Sequence, residues 1–307
     1  MDNKTVKIIV ATYNGEKYLR EQMDSLLNQS YENLQIEVCD DGSTDRTMEI
    51  VREYQAKDER VTAHVNQENR GYVRNFLEAI RRSTQPYIML CDQDDIWDPD
   101  KVEITLDKMQ QKEKQCPGKP ILVYTDAINF DSEKKERLGR FHQNSHLDTK
   151  KVDTAHLFME NKVIGCTVMV NAQIIPYLGE CPKEIRVHDW WLAMLCSHFG
   201  QIVYVDRPTL LYRQHSGNQI GGSSFGSYVK DRLSGLRRQR QALQSSYRQG
   251  RAFLELYGDR MEDDQRAIAK AFAKMEHAGW FLRRYYMCRY GFTKSGLIRN
   301  IGLFLVI

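Results

Sequence analysis

The chain has 307 residues, 41% hydrophobic and 28% charged, with a formal net charge of +3. It is long for one domain and short for two, so one large domain with an appendage and a real core is expected. No run of eighteen apolar residues occurs, which excludes a membrane-spanning helix of ordinary length. Seven scattered cysteines without a close pair argue against zinc and for reduced thiols in a cytosolic setting. Met1-Asp2-Asn3-Lys4 runs into a strand-like segment and does not read as a signal.

Up to about Lys114, strand and helix alternate. Val6–Ala11 reads as a buried strand, and Glu16–Asn28 as a helix with Leu19, Met23, Leu26 and Leu27 on one face. Leu34–Cys39 is a second strand. The loop Asp41-Gly42-Ser43-Thr44-Asp45 offers Ser43 or Thr44 as cap for a helix ending near Gln55. A strand over Val61–Val65, a helix over Gly71–Arg82 and a strand over Tyr87–Leu90 follow. This alternation implies βαβ units and a parallel sheet, whose ligands bind beyond the carboxyl ends of the strands. Three polar clusters stand at those ends: Thr12-Tyr13-Asn14, Asp40-Asp41-Gly42 and Asp92-Gln93-Asp94.

From Pro120 to Arg213 the pattern is mixed. Strands are expected at Ile121–Tyr124, Val163–Val170, Ile202–Val205 and Leu210–Tyr212, and a helix at Asp189–His198. Asp131–Lys151 reads as a polar excursion. After Gly221-Gly222-Ser223-Ser224 two long helices are expected, Tyr228–Tyr257 and Asp259–Arg289. The apolar Gly296–Ile307 is too short to span a bilayer. The expected division is therefore a catalytic domain over 1–222, with halves of about 1–115 and 116–222, and a basic helical region over 223–307.

Charge divides along the same line. Residues 226–307 carry 16 Lys+Arg against 7 Asp+Glu, and the remainder 28 against 34. Basic, aromatic helices suit the inner face of a cell membrane, with packing on the catalytic domain or on a second subunit as the alternative. The acidic remainder argues against a nucleic-acid partner.

The run Asp92-Gln93-Asp94-Asp95 concentrates three carboxylates at a strand end, and the next basic residue is Lys101. Such charges repel unless neutralised, and oxygen donors in this spacing suit a hard divalent cation, Mn²⁺ or Mg²⁺. An acidic turn before the helix that follows Pro99 is the other reading.

Four segments, Ala11-Thr12-Tyr13-Asn14-Gly15, Asp40-Asp41-Gly42-Ser43-Thr44-Asp45, Asn69-x-Gly71 and Asp92-Gln93-Asp94-Asp95, resemble in order the motifs of family 2 glycosyltransferases. The resemblance covers about residues 5–220. It implies a GT-A fold, α/β with a mixed central sheet, and a nucleotide-diphosphate sugar donor. The forms Asp-Gln-Asp-Asp-Ile-Trp, His188-Asp189-Trp190-Trp191 and Tyr212-Arg213-Gln214-His215 are similar to bacterial rhamnosyltransferases of surface-polysaccharide synthesis. That narrower likeness implies dTDP-L-rhamnose as donor and a saccharide, lipid-linked, as acceptor. A UDP-hexose transferase and a non-catalytic nucleotide-binding scaffold are the alternatives.

By position, the resemblance implies Asp41 as reader of the base, with Asp40 beside it. Tyr13 packs on the base, and Thr12 and Asn14 bond base or ribose. Arg74 contacts phosphate, Asp92 faces ribose or a metal-bound water, and Asp94 ligates the ion with His215 as a further ligand. Asp189 is the implied catalytic base, with Trp190 and Trp191 as an aromatic wall that desolvates it and stacks on sugar. An N-cap is the other reading of Asp189. Asp95, Gly165 and Arg213 are assigned to the acceptor or sugar side. Gly217, Gly221 and Gly222 supply hinges for a closing loop.

Overall fold

All seven residues of β1 (Val6–Thr12) are buried, which makes it an interior strand covered on both faces. The computed structural model describes residues 4–214 and 236–307. They fall into two compact units. The first takes the chain up to Phe141, Val163–Cys181, and the segment from Gly200 through the last strand; the second takes His142–Lys162, Pro182–Phe199 and the C-terminal helices.

The first unit is built on one nine-stranded sheet. β1 is flanked in parallel by β2 (Leu34–Asp40) and β4 (Tyr87–Asp92), and β3 (Val61–Val65) continues the parallel part beyond β2. The remaining strands are β5 (Ile96–Trp97), β6 (Ile121–Asp131), β7 (Glu136–Arg140), β8 (Val168–Asn171) and β9 (Gln201–Gln214). The order is β3-β2-β1-β4-β8-β6-β9-β5, with β7 paired to β6. Direction changes at β8, which is antiparallel to both β4 and β6. The sheet is therefore mixed, as expected for GT-A. Helices α1 (Leu19–Leu27), α2 (Thr47–Lys57), α3 (Tyr72–Arg81) and α4 (Lys101–Gln115) complete the unit. Val10, Ile36, Val38, Met89 and Cys91 join Leu19, Met23, Ile50 and Leu106 in its core. Each fully buried large aliphatic side chain stabilises by about 1.5–3 kcal/mol. Lys7 is tolerated within β1 because its ammonium pairs with Glu37, which Arg82 also bridges at 3.0 Å. Burial pushes the Glu37 carboxyl up, but Lys7 and Arg82 together hold it below its ordinary range.

The second unit is helical: α6 (Thr154–Met159), α7 (His188–Phe199), α8 (Leu236–Tyr257), α9 (Asp263–Lys274), α10 (Trp280–Tyr290) and α11 (Leu297–Val306). A short helix, α5 (Phe141–Asn144), leads into it. Its core is aromatic. Phe158 stacks on Phe272 at 4.8 Å, Trp191 meets Phe253 at 5.1 Å, and Phe272 meets Phe292 at 5.1 Å. Gly250 makes room for this cluster, since a Cβ there would stand 2.5 Å from the Phe272 ring. A buried charge cluster ties the 142–162 segment to the chain end. Lys162 pairs with Glu160 and donates to Ser295 Oγ at 2.7 Å, while Arg299 donates to Glu160 at 2.8 Å. Burial would raise Glu160, yet Lys162 and Ser295 hold it low.

Several elements differ from the sequence expectation. The helix expected over Asp259–Arg289 is two helices. The chain turns after Lys274, Gly279 is extended, and the Arg283 guanidinium donates to the carbonyls of Met275 (2.9 Å) and Glu276 (3.1 Å) left over at the break. The strand expected over Val163–Val170 is a 3-10 turn, Gly165–Thr167, followed by the short β8. Ser43 and Thr44 do not cap α2, because the Ser43 hydroxyl is spent on Asp40 and Thr44 bonds Asn14. The boundary expected at 222/223 and the glycines proposed as hinges lie outside the described residues. No described helix is long and apolar enough to cross a membrane.

Candidate active site

Strand register sets the site in the first unit. β1 pairs with β2 so that Thr12 is level with Asp40, and with β4 so that Ala11 is level with Asp92. The three polar clusters therefore leave the sheet side by side, at its carboxyl edge.

The loops after β1 and β2 are knitted together. Thr12 Oγ1 donates to Asp40 Oδ1 at 2.8 Å, and the Ser43 amide and hydroxyl donate to Asp40 at 2.9 and 2.6 Å. Both Thr12 and Asp40 are buried. Thr12 and Asp40 are thus tied to each other and to Ser43, which shapes the loop, and three donors leave one acceptor position on Asp40 Oδ2. Asn14 takes a positive φ of 48° and accepts from the Thr44 amide at 2.8 Å. Asparagine tolerates this conformation better than most residues.

Asp41 lies at the centre of a second network. Its Oδ1 accepts from Asn66 Nδ2 and the Arg70 amide, both at 2.9 Å, and its Oδ2 from the Gly71 amide at 2.8 Å. Asn66 is held in turn by Asn75 on α3, which donates to the Cys39 carbonyl at 2.7 Å. A carboxylate has about four acceptor positions, so these bonds leave one, on Oδ2. Gly71 reaches this geometry at φ 82°. Arg74 is on the exposed side of α3, next to the Cys181 thiol.

Tyr13 is 48% exposed, so it is no core aromatic. Its backbone is fixed by a residue that sequence reasoning passed over. Gln93 accepts from the Tyr13 amide at 2.9 Å and donates to the Tyr13 carbonyl at 3.2 Å, as a strand neighbour would. Gly15 permits this approach, because a Cβ there would lie 2.2 Å from Gln93 Oε1. The sequence held one signal of this, a glycine two residues after Tyr13 opposite an amide within an acidic run.

Among the carboxylates, Asp92 and Asp94 are half-buried and Asp95 is fully buried. Burial first, and then the charge of Asp94, raise the Asp95 pKa. Asp95 Oδ1 accepts from the Arg213 amide at 3.1 Å, while its Oδ2 is buried with no hydrogen-bond partner among the described residues. The Arg213 side chain donates to the Asp94 carbonyl at 2.6 Å and to Glu21 at 2.5 Å, and stacks on Tyr18 at 4.5 Å. Pairing of β5 with β9 brings it there, through Ile96 opposite Leu211. Arg213, expected on the sugar side, is thus buried beneath the acidic turn and braces it.

Among the described residues one group of ligand atoms converges within 4.8 Å: Asp92, Asp95 and Cys166, the last delivered by the 3-10 turn that begins at Gly165. Burial pushes the Cys166 thiol well up, so it stays protonated and suits neither Mn²⁺ nor Mg²⁺. Asp92 and Asp95 bring two carboxylates to this group, donors of the kind a hard cation takes, and the Asp94 carboxylate, expected as the ion's ligand, is not part of it. His215 lies outside the described residues.

Asp189 belongs to the second unit. α7 begins at His188, so Asp189 is inside the first turn and is not the cap residue. Its Oδ1 accepts from Asn161 Nδ2 at 3.1 Å and from the Trp190 amide at 2.6 Å. Trp190 is buried, with its indole N–H on the Leu157 carbonyl at 2.5 Å and Arg186 over its ring at 4.8 Å. Trp191 packs between Phe253 and Tyr257 and is 2% exposed. The expected sugar-stacking role is corrected for Trp191, whose ring is spent on the core of its unit. His188 is buried too, which lowers its pKa to about 3 and keeps it neutral.

Comparison with known proteins identifies the family. Residues 7–163 match the family described as Glycosyl transferase family 2. The dTDP-rhamnosyl transferase RfbG of Shigella flexneri is 28% identical over 235 residues, 72% of this chain and 77% of that protein. The chondroitin synthase of Escherichia coli is 36% identical over 128 residues, 42% of this chain and 18% of that protein. Among solved structures, S. aureus TarS 1-349 in complex with UDP-GlcNAc superposes with a TM-score of 0.60 at 14% identity, covering 89% of this chain and 72% of that one. The mannosyltransferase PcManGT of Pyrobaculum calidifontis, in complex with GDP-Man and Mn²⁺, gives 0.54 at 16% identity, covering 97% and 78%. With half of its length matched to that family and a GT-A fold around the matched motifs, the chain belongs to glycosyl transferase family 2.

Proposed function

We propose that the chain is an inverting glycosyltransferase that moves L-rhamnose from dTDP-L-rhamnose to a hydroxyl of a lipid-linked saccharide. The observation that carries the nucleotide part is the Asp41 network. Three protein donors orient the carboxylate and leave one acceptor position for the N3–H of a thymine or uracil ring, in the same loop cluster as the exposed Tyr13 ring. The similarity to a dTDP-rhamnosyl transferase supports thymine and rhamnose within that class.

In this reading the acceptor hydroxyl oxygen attacks the anomeric carbon, and the bond from that carbon to the diphosphate oxygen breaks. Asp189 accepts the hydroxyl proton. Asn161 and the Trp190 amide fix the carboxylate's orientation. Attack opposite the leaving group turns a β-linked donor into an α-rhamnoside. A divalent cation on Asp92 and Asp94 would neutralise the diphosphate as it departs, and the Mn²⁺ in the PcManGT complex supports a divalent cation in this fold. Arg74 assists at phosphate, and Asp95 and Gly165 shape the acceptor side. Residues 1–222 form the catalytic part, and the basic region that follows holds the enzyme at the inner face of the membrane.

Calorimetric donor binding and transfer, measured on one preparation of Asp189→Asn, test the assignment of the base. Donor affinity within about twofold of the parent, with transfer reduced at least a hundredfold, is expected. Transfer at the parental rate would remove Asp189 from the chemistry, and parental binding without transfer in either protein would indicate a scaffold.

A further inference from the structure

α10 and α11 turn apolar side chains outward. Phe281 is 83% exposed, Leu297 77%, Ile298 72% and Leu305 71%. On α11 the exposed Leu297, Ile298, Ile301, Phe304 and Leu305 recur at helical spacing along one face, and Phe281, Leu282 and Tyr285 do so on α10. Arg284 joins the two stripes. Its guanidinium lies 3.7 Å from the Trp280 ring centroid and 5.1 Å from that of Phe304, and it donates to the Phe304 and Ile307 carbonyls at 2.6 and 2.9 Å. Trp280 in turn packs edge-on against Phe281 at 4.6 Å. The two helices thus present one continuous patch, of a kind that soluble proteins rarely leave uncovered.

Charge indicates what covers it. From Trp280 to Ile307 there are five Lys+Arg and no Asp or Glu. Arg299 is offset by Glu160, Arg283 and Arg284 donate to carbonyls and keep their charge, and Arg289 is exposed. A second copy docking on the same face would bring two positive surfaces together. An anionic bilayer surface accommodates both features, with apolar side chains in the headgroup boundary and cations among phosphates. Trp and Tyr favour that boundary. Helices of 11 and 10 residues can lie in it but not span it.

We infer that, on the membrane-side reading proposed above, the α10–α11 face is the lipid-contacting surface, with Phe281, Leu297, Ile298 and Leu305 inserting into the headgroup layer of an anionic bilayer. Flotation of the full chain with vesicles of equimolar phosphatidylcholine and phosphatidylglycerol, and with phosphatidylcholine alone, tests this. Binding to the mixed vesicles should be strong and weakened by salt. The double variant Phe281→Ser, Leu305→Ser should lose at least tenfold in partition. Arg289→Glu should lose about fivefold or more on mixed vesicles and little on neutral ones. These side chains are exposed, so urea midpoints should match the parent and exclude misfolding as the cause. Parental flotation of the double variant would overturn the inference. So would a parental dimer in sedimentation that Phe281→Ser converts to monomer, since a second copy would then cover the face. Nucleotide release from the donor, measured on the same double variant without vesicles, should stay at the parental level. Absence of that release in the parent would sink the transferase reading while flotation still decided the face.

Discussion

At the scale of single residues, the site depends on side chains that hold backbone in place. Gln93 pairs with both polar atoms of the Tyr13 peptide. Its loss frees the loop that carries the exposed ring. Two neutral hydrogen bonds at about 1 kcal/mol each set the scale. Gln93→Ala is therefore expected to raise the donor KM by roughly tenfold while changing kcat less than about threefold. Steady-state kinetics with varied donor would check it, and an unchanged KM would remove Gln93 from donor positioning. The acidic run stood out in the sequence because a carboxylate cluster without nearby cations demands an explanation, whereas Asp41 was singled out only by the family resemblance. Gln93 was not, because an amide earns its role only from the partner that folding brings 80 residues away. Trp191 illustrates the reverse, since its position beside Asp189 suggested a sugar contact, but Phe253 and Tyr257 claim its ring.

At the scale of elements, the first four parallel strands were readable, since β1 and β4 are largely apolar runs ending in a polar residue and β2 and β3 alternate apolar and polar side chains. The strands after Pro120 were harder, because their bounds are set by partners distant in sequence. β9 is one strand where two were expected. Its pairing with β6 slips between Val205 and Pro208, so Asp206 and Arg207 bulge out, and the interruption in the apolar pattern is the bulge itself. In the C-terminal helices, periodicity ran through the turn after Lys274 without marking it. Gly250 gives a test in which two rules oppose each other. Helix propensity favours Gly→Ala by about 0.5–1 kcal/mol, whereas the Phe272 ring at 2.5 Å from the new Cβ disfavours it. Overpacking should prevail, lowering stability by about 1–3 kcal/mol. A urea midpoint above the parent's would show that Phe272 moves aside freely.

At the scale of the whole molecule, buried histidines make stability depend on pH. Burial lowers His198 to about 4 and His188 to about 3, from an ordinary 6.5. Folded, both rings are neutral; unfolded, each binds a proton below about pH 6.5. The unfolded chain thus holds more protons in acid. The stabilisation is complete above about pH 6.5 and is lost as pH falls toward 4, at about 1.4 kcal/mol per pH unit for each ring. Urea midpoints should drop between about pH 7 and pH 5, and a flat profile would contradict the burial of both rings. Glu160 acts lower on the scale, since its depressed pKa keeps it charged until more acid conditions.

The central claim is that a sugar leaves a thymidine diphosphate at this site, and nucleotide release from a panel of nucleotide sugars tests it most directly. With Mn²⁺ and a saccharide acceptor present, release from dTDP-L-rhamnose should exceed release from any UDP-hexose by at least tenfold, and a chelator should abolish it. Preferential turnover of a UDP-hexose would contradict the donor assignment, and turnover untouched by the chelator would contradict the cation on Asp92 and Asp94.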